Sequence, residues 1–378
     1  MRRRRVLQGG GYLKLLTQPD DGIAPLVEAI DKAQAQVEIA IFRCDRSELE
    51  EALANAVKRG VFVHALVACV NRGGERKLRK LETRLLASGV TVARTSDDLA
   101  RYHGKFMIID RRELHLFAFN FTHLDIDHSR SFGLVTSNAR MVQEAVNLFE
   151  ADVRRQAYSG KSAAFVVSPV NARKRLSSLI ESARKELLIY DPDVSDSLMI
   201  RLLEEKANAG VDVKILGRLT RRSEAVKQHR LPHLRLHTRC IIRDGHEAFI
   251  GSQSLREVEL AARREVGLIF RDPATIGRLL KTFREDWSLA ESFQQTGIAQ
   301  PVTAAALAKK VAKAIAKELP VAPVLEGIVK QAAGSRPDVG VDPDIVENNI
   351  KVAVREAVAD AVLDAVEGVI AEDDSGRK

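Results

Sequence analysis

The chain is poor in cysteine, tryptophan and aromatic residues generally: three Cys, one Trp and 5% Phe, Trp and Tyr in 378 residues. Each shortage excludes something. Cys44, Cys69 and Cys240 form an odd, scattered set with no paired or metal-ligand spacing. That argues against a disulfide framework and fits reduced thiols in a cytoplasmic protein. The scarcity of aromatic rings leaves few platforms on which bases of a nucleic acid could stack. No run of about 18 uncharged apolar residues occurs, so no membrane-spanning helix is expected. Arg2 to Arg5 are not followed by the apolar core of a signal peptide and read as a solvated tail.

What is present is ordinary globular material, 45% hydrophobic and 29% charged, with length enough for two to three domains. The net charge of +8 is uneven. From Pro301 onward 10 Lys/Arg face 13 Asp/Glu, whereas residues 1–300 hold 49 against 38, a net of +11. A basic body suits a phosphate-bearing partner, either nucleic acid or anionic lipid.

An internal repeat organises residues 10–295. Thr17-Gln18-Pro19 and Val167-Ser168-Pro169 open two halves, 10–158 and 159–295. In each, the spacing predicts an amphipathic helix (Ile23 to Gln34; Ala172 to Arg184), then a strand (Val37 to Phe42; Leu187 to Tyr190). A second helix follows (Ser47 to Arg59; Ser197 to Ala209), stopping at Gly60 or Gly210, and then another strand. The offset of about 150 residues falls to 134 farther on, so Asn71 to Asp98 carries roughly 16 extra residues, including a basic helix-like stretch. Alternating strands and helices argue for α/β halves. Residues 301–378 shift to Ala, Val, Lys and Glu and read as a helical C-terminal extension that packs on the body or a protein partner.

The chemistry concentrates in Tyr102-His103-Gly104-Lys105-Phe106-Met107-Ile108-Ile109-Asp110 and its echo Leu236-His237-Thr238-Arg239-Cys240-Ile241-Ile242-Arg243-Asp244. Residues i and i+2 of a strand share a face, so His103 lies beside Lys105 and His237 beside Arg239, with Cys240 turned away. An imidazole beside a fixed cation suits attack on a phosphate ester. The paired H-x-K-x4-D pattern resembles the phospholipase D superfamily, with Arg239 standing where that family has lysine. The 134-residue offset extends the resemblance. Phe117-Ala118-Phe119-Asn120 aligns with Gly251-Ser252-Gln253-Ser254, where the family often has G-S-x-N. Ser131 aligns with Glu265, where it often has a carboxylate that orients a histidine.

The resemblance implies two α/β sandwich halves related by a pseudo-two-fold axis, whose half-sites face each other to make one site. It implies a phosphohistidine mechanism with His103 as nucleophile and His237 as acid/base, although the reverse assignment stays open. Lys105, Arg239, Asn120 and Ser254 would hold the phosphate oxygens, with Gly251 and Ser252 beside them. Asp110 and Asp244 enter on family grounds, as supports of the surrounding strands. Glu265 is expected to steady His237, and Asp125 or Asp127 to substitute on the first side. Arg239 keeps the charge and gains a planar fork but is bulkier, so activity is expected to persist in narrowed form; a second half that only binds remains open. No cofactor or metal is implied. The leading expectation is cleavage or transfer of a phospholipid phosphodiester, by a cytoplasmic protein peripheral to the inner membrane surface. A metal-independent nuclease and a non-catalytic phosphate-binding scaffold stay open.

Overall fold

The computed structural model describes residues 11–69, 75–96, 99–221 and 223–295. The Arg2–Arg5 tail and the helical extension expected over 301–378 lie outside the described residues. Among the described residues, no helix is long and apolar enough to cross a membrane.

Two sheets of matching design make up the body, both in one compact unit. The first runs Leu13–Gln18, Ser129–Thr136, Glu113–Phe117, Phe106–Ile109, Gln36–Ile41, Phe62–Val67, Thr91–Arg94 across its width. The second runs Phe165–Val167, Val266–Phe270, Glu247–Gly251, Arg239–Arg243, Glu186–Val194, Asp212–Leu219, Lys227–His229, the same order strand for strand. The helices open and close near the expected points: Ala24–Asp31 and Ala172–Glu181, Ser47–Lys58 and Ser197–Asn208. Gly60 (φ +88°) and Gly210 (φ +89°) end the second pair in the left-handed conformation that glycine adopts without strain. The extra residues of the first half form the helix Glu75–Ala87 ahead of its edge strand Thr91–Arg94. In the second half the basic stretch from Leu219 to Arg230 supplies, among its described residues, the short edge strand Lys227–His229.

Central strands are buried on both faces: Phe106–Ile109 throughout, and Arg239–Arg243 at all but its last residue. In the second half the helices Ala172–Glu181 and Ser197–Asn208 pack on one side of the sheet, against Leu187, Ile189, Ile241 and Phe249, and the helix Pro273–Gln295 packs on the other, against Leu188, Tyr190 and Cys240. One apolar cluster takes in residues of both halves, among them Leu116, Phe132, Tyr190, Cys240 and Val266, and the helix residues Phe283 and Trp287. Phe132 of the first half meets Tyr190 of the second edge-to-face at 5.4 Å, and Tyr190 meets Phe283 at 5.0 Å. Cys240 sits in this core as a buried thiol, with burial pushing its ionisation far above the ordinary range. The strands that follow His103 and His237 are therefore anchored in the least deformable layer of the molecule.

Candidate active site

The halves exchange short strands. Arg101–Tyr102, just before His103, pairs in parallel with Arg263–Arg264 of the second half. Arg235–Leu236, just before His237, pairs in parallel with Ser129 and Arg130 of the first. His103 N then donates to Arg264 O at 2.7 Å, and His237 N to Arg130 O at 3.2 Å. Each histidine backbone is thus fixed by the opposite half. The same arginines lock the exchange through their side chains. Arg264 donates to Asp152 Oδ1 (3.0 Å) and Ser168 O (3.2 Å), and Arg130 to Asp286 Oδ2 (2.9 Å) and Gln18 O (3.1 Å). Asp152 and Asp286 are 134 residues apart, as are the arginines, so the sequence held the signal for this clasp but not its partners.

His103 is 6% exposed, and its Nδ1 lies 2.8 Å from Glu265 Oε2. This corrects the expected pairing of Glu265 with His237. Glu265 follows Arg264 directly, so the strand exchange carries it to the other half's histidine. Burial holds His103 well below the usual imidazole range, helped by Lys105, Arg239, Arg263 and Arg101. Burial also pushes Glu265 up to about 7, with Glu259 adding to the rise and Lys105 and Arg263 opposing it. An ionised Glu265 accepts from Nδ1–H and leaves Nε2 bare, which is the nucleophilic tautomer.

Lys105 is 1% exposed, and its Nζ has no hydrogen-bond partner among the described residues. Burial lowers its pKa to about 7, with Arg239 adding to the fall and Glu265 opposing it. Phe42 lies against this corner: its ring meets His103 edge-on at 4.6 Å, and Lys105 Nζ is 5.4 Å from its centroid. Arg239 is more tied down. Nε donates to Ser254 Oγ at 2.9 Å and Nη1 to His237 O at 2.8 Å, with Glu259 Oε2 3.9 Å from Nη2. The fork that replaces lysine is largely taken up in placing Ser254 and His237, while its charge still reaches both histidines.

His237, 7% exposed, is also held well below the usual range, by burial first and against the pull of Asp125. Asp125 Oδ2 lies 3.4 Å from its Nδ1, within ion-pair reach, while Nδ1 itself has no hydrogen-bond partner among the described residues. This also corrects the substitutes expected on the first side: Asp125 lies beside the second half's His237 rather than His103, and Asp127 is turned to Arg46 at 2.6 Å. Asn120 donates through both N (2.8 Å) and Nδ2 (2.7 Å) to Asp125 Oδ2, and Ser254 N donates to Glu259 Oε2 at 2.7 Å. Gly251 pairs with Gly267 across adjacent strands, where an added Cβ would come within 2.8 Å of Gly267 Cα; its part is close packing. Ser252 is fully buried and accepts from Val266 N at 3.1 Å, bracing the strand that carries Glu265. Glu259, which sequence reasoning missed, was detectable as the 134-residue counterpart of Asp125. Two other histidines of the motif region are engaged elsewhere, His115 with Glu113 and His123 with Asp127.

Asp110 and Asp244 stand at the far ends of their strands, on the order of 20 Å along the chain from the histidines at about 3.3 Å per residue. Each folds back on the start of a neighbouring strand. Asp110 accepts from Gln34 N (3.0 Å), Ala35 N (2.7 Å) and Gln36 N (2.9 Å). Asp244 accepts from Arg184 N (3.1 Å), Lys185 N (2.7 Å) and Glu186 N (3.1 Å). Burial opposes their charge, but the three amides outweigh it and keep both carboxyls below the usual range. Both are therefore supports remote from the histidines. Asp110→Ala should lower stability in urea by about 1–2 kcal/mol, as loss of a helix cap does, while KM stays at the wild-type value. A change in KM without loss of stability would contradict this placement.

Among the described residues, no group of three His, Cys, Asp or Glu is arranged to hold a metal ion. What the site brings together is two buried neutral imidazoles, two cations and three carboxylates drawn from both halves.

Comparison with known proteins agrees with this architecture. The profile of the family described as "Cardiolipin synthase, PLD-like domain" matches residues 26–153 and 176–287, one match in each half. Among solved structures, polyphosphate kinase from Porphyromonas gingivalis superposes with a TM-score of 0.61 at 20% identity, covering 72% of this chain and 50% of that one. This chain thus spans half the length of that kinase. Phosphatidylserine synthase from Haemophilus influenzae Rd KW20 gives a TM-score of 0.55 at 12% identity over 73% of this chain and 85% of that one. At these identities the likeness speaks for the fold. No curated protein matches the chain. With a family match in each half and the two halves interlocked around paired histidines, the chain belongs to the phospholipase D superfamily.

Proposed function

We propose that the protein cleaves or transfers a phosphodiester through a phosphohistidine intermediate, with phospholipid as its substrate class. The observation that carries this reading is His103 held neutral against Glu265 beside two buried cations, Lys105 and Arg239, contributed by different halves. His103 Nε2 attacks phosphorus. The bond to the leaving oxygen breaks, and His237 gives that oxygen its proton. Water or an alcohol then gives a proton back to His237 and displaces phosphorus from His103. Lys105, Arg239, Asn120 and Ser254 neutralise and orient the non-bridging oxygens as charge develops. An anionic phosphodiester entering beside His237 raises its pKa and so supplies the protonated acid that the empty site disfavours.

On this reading, residues 10–158 and 159–295 each furnish half of the site, and 301–378 form an appended segment. Phospholipid is favoured over nucleic acid because aromatic residues are only 5% of the chain. A phospholipid substrate implies a protein that works at a membrane surface, and the basic body suits an anionic one. The test is one assay, in chelator, of liposomes beside single- and double-stranded nucleic acid. Headgroup release with DNA and RNA left intact is the expected result. Cut nucleic acid with intact lipid would replace the substrate class with that of a nuclease. Binding without turnover of either would leave a phosphate-binding scaffold.

A further inference from the structure

The two histidines do not have equivalent partners. Glu265 serves His103 from the single residue between the strands Arg263–Arg264 and Val266–Phe270. Its counterpart 134 residues earlier is Ser131, whose Oγ is buried without a hydrogen-bond partner among the described residues. A second difference accompanies the first. Where the second half has Arg263 before Glu265, the first has Ser129 before Ser131. A cation and an anion are therefore missing together from the side that faces His237.

This pair of differences bears on the neighbouring acids. Glu259, in the second half, is drawn to Arg263, whose Nη1 lies 3.2 Å from Oε1. Asp125, its counterpart, finds Ser129 in that place. It is 2% exposed, and its Oδ2 lies 3.4 Å from His237 Nδ1. We infer that Asp125 is the positioning carboxylate of His237, acting from the helix His123–Asp127 in place of the acid that Ser131 does not supply. The inference rests on the reading of His103 and His237 as a phosphodiester-cleaving pair.

Asp125 is well held for this. Its backbone N donates to Thr122 Oγ1 at 3.2 Å, Asn120 donates twice to Oδ2, and Arg235 bonds Oδ1. Arg235 belongs to the exchanged strand just before His237, so the carboxylate is tied to the same segment it orients. The charged groups acting on His237 are Asp125 from the helix, Arg235 and Arg239 from its own segment, and Lys105 from the other half. Asp125 alone among them is an anion, so it alone favours an imidazolium there. Oδ2 accepts from Asn120 and faces His237 Nδ1 at 3.4 Å, so one carboxylate oxygen stands between the phosphate-placing amide and the proton donor.

The test uses the full chain with labelled histidines, His237 being assigned from the resonance lost in His237→Gln. Asp125→Asn keeps the shape and an acceptor for Asn120 N while removing the charge. The expected result is a further fall of the His237 pKa with His103 unmoved, and a kcat lower by about 10–100-fold, less than the roughly 10²–10⁴-fold that a general acid–base group itself supplies because Asp125 acts through His237, with KM within about twofold. Adding Ser131→Glu to Asp125→Asn should restore at least a tenfold part of that loss and return the His237 titration toward wild type. A His237 titration indifferent to Asp125→Asn would overturn the inference, as would a double variant no better than the single. Should Asp125→Asn fail to fold, the double variant carries the test, and a His237 pKa that stays depressed there counts against it. Absence of turnover in the wild type would sink the proposed function instead, whereas the titration still decides what holds His237.

Discussion

His103→Ala and His237→Ala should each lower phosphodiester turnover by about 10⁴-fold or more, and the double variant should be no worse than either single. Groups that act as a unit lose their whole contribution when one is removed, so their effects do not add. The site's geometry requires a unit: His103 is held by Arg264 and Glu265 of the second half, and the His237 backbone by Arg130 of the first, with Asp125 3.4 Å from its ring. The two variants should nevertheless fail at different steps. With a nitrophenyl leaving group, which needs no proton, His237→Ala should still form the phosphoenzyme and then stall, because nothing activates the incoming water. Label from such a substrate should be recovered on His103 after denaturation. His103→Ala should trap none. Label found in His103→Ala would exchange the roles of the two histidines, and label in neither would remove the covalent intermediate.

Glu265→Gln and Lys105→Arg should reshape the pH profile from opposite sides. Burial raises Glu265 to about 7, so below that pH its carboxyl is protonated and donates to His103 Nδ1. The ring proton then sits on Nε2, and the nucleophilic lone pair is lost. As pH rises through about 7, loss of one proton from the pair turns the tautomer over and bares Nε2, so kcat/KM should climb. Lys105 runs the other way. Burial lowers it to about 7, so the free enzyme loses this cation as pH rises further and kcat/KM should fall. The product is a narrow bell in kcat/KM. The kcat profile should stay high farther to the alkaline side, because a bound phosphate raises the lysine again. Lys105→Arg, which cannot deprotonate in this range, should remove the alkaline limb from kcat/KM. Glu265→Gln should remove the acid limb and cost on the order of 10²-fold, since an amide can fix either tautomer. An alkaline limb that survives in Lys105→Arg would assign it to another group.

Much of the protein follows from short-range sequence. Gly60 and Gly210 end helices because the chain must turn left-handed there, and a side chain resists that. His103 with Lys105, and His237 with Arg239, share faces because strand geometry has a period of two. The 134-residue offset makes Arg130 and Arg264, and Asp152 and Asp286, equivalent pairs, and it also holds the pair Asp125 and Glu259, of which the motifs single out only Asp125. Equivalence is not contact. A repeat states which residues occupy like positions in two halves, and it is silent on which half each one touches. Only the parallel pairing of Arg101–Tyr102 with Arg263–Arg264, and of Arg235–Leu236 with Ser129 and Arg130, decides that Glu265 goes to His103 and leaves Asp125 beside His237. The reason is physical: backbone pairing between segments far apart in the chain is set by how the two halves pack, and here that packing lets each half supply the strand beside the other's histidine.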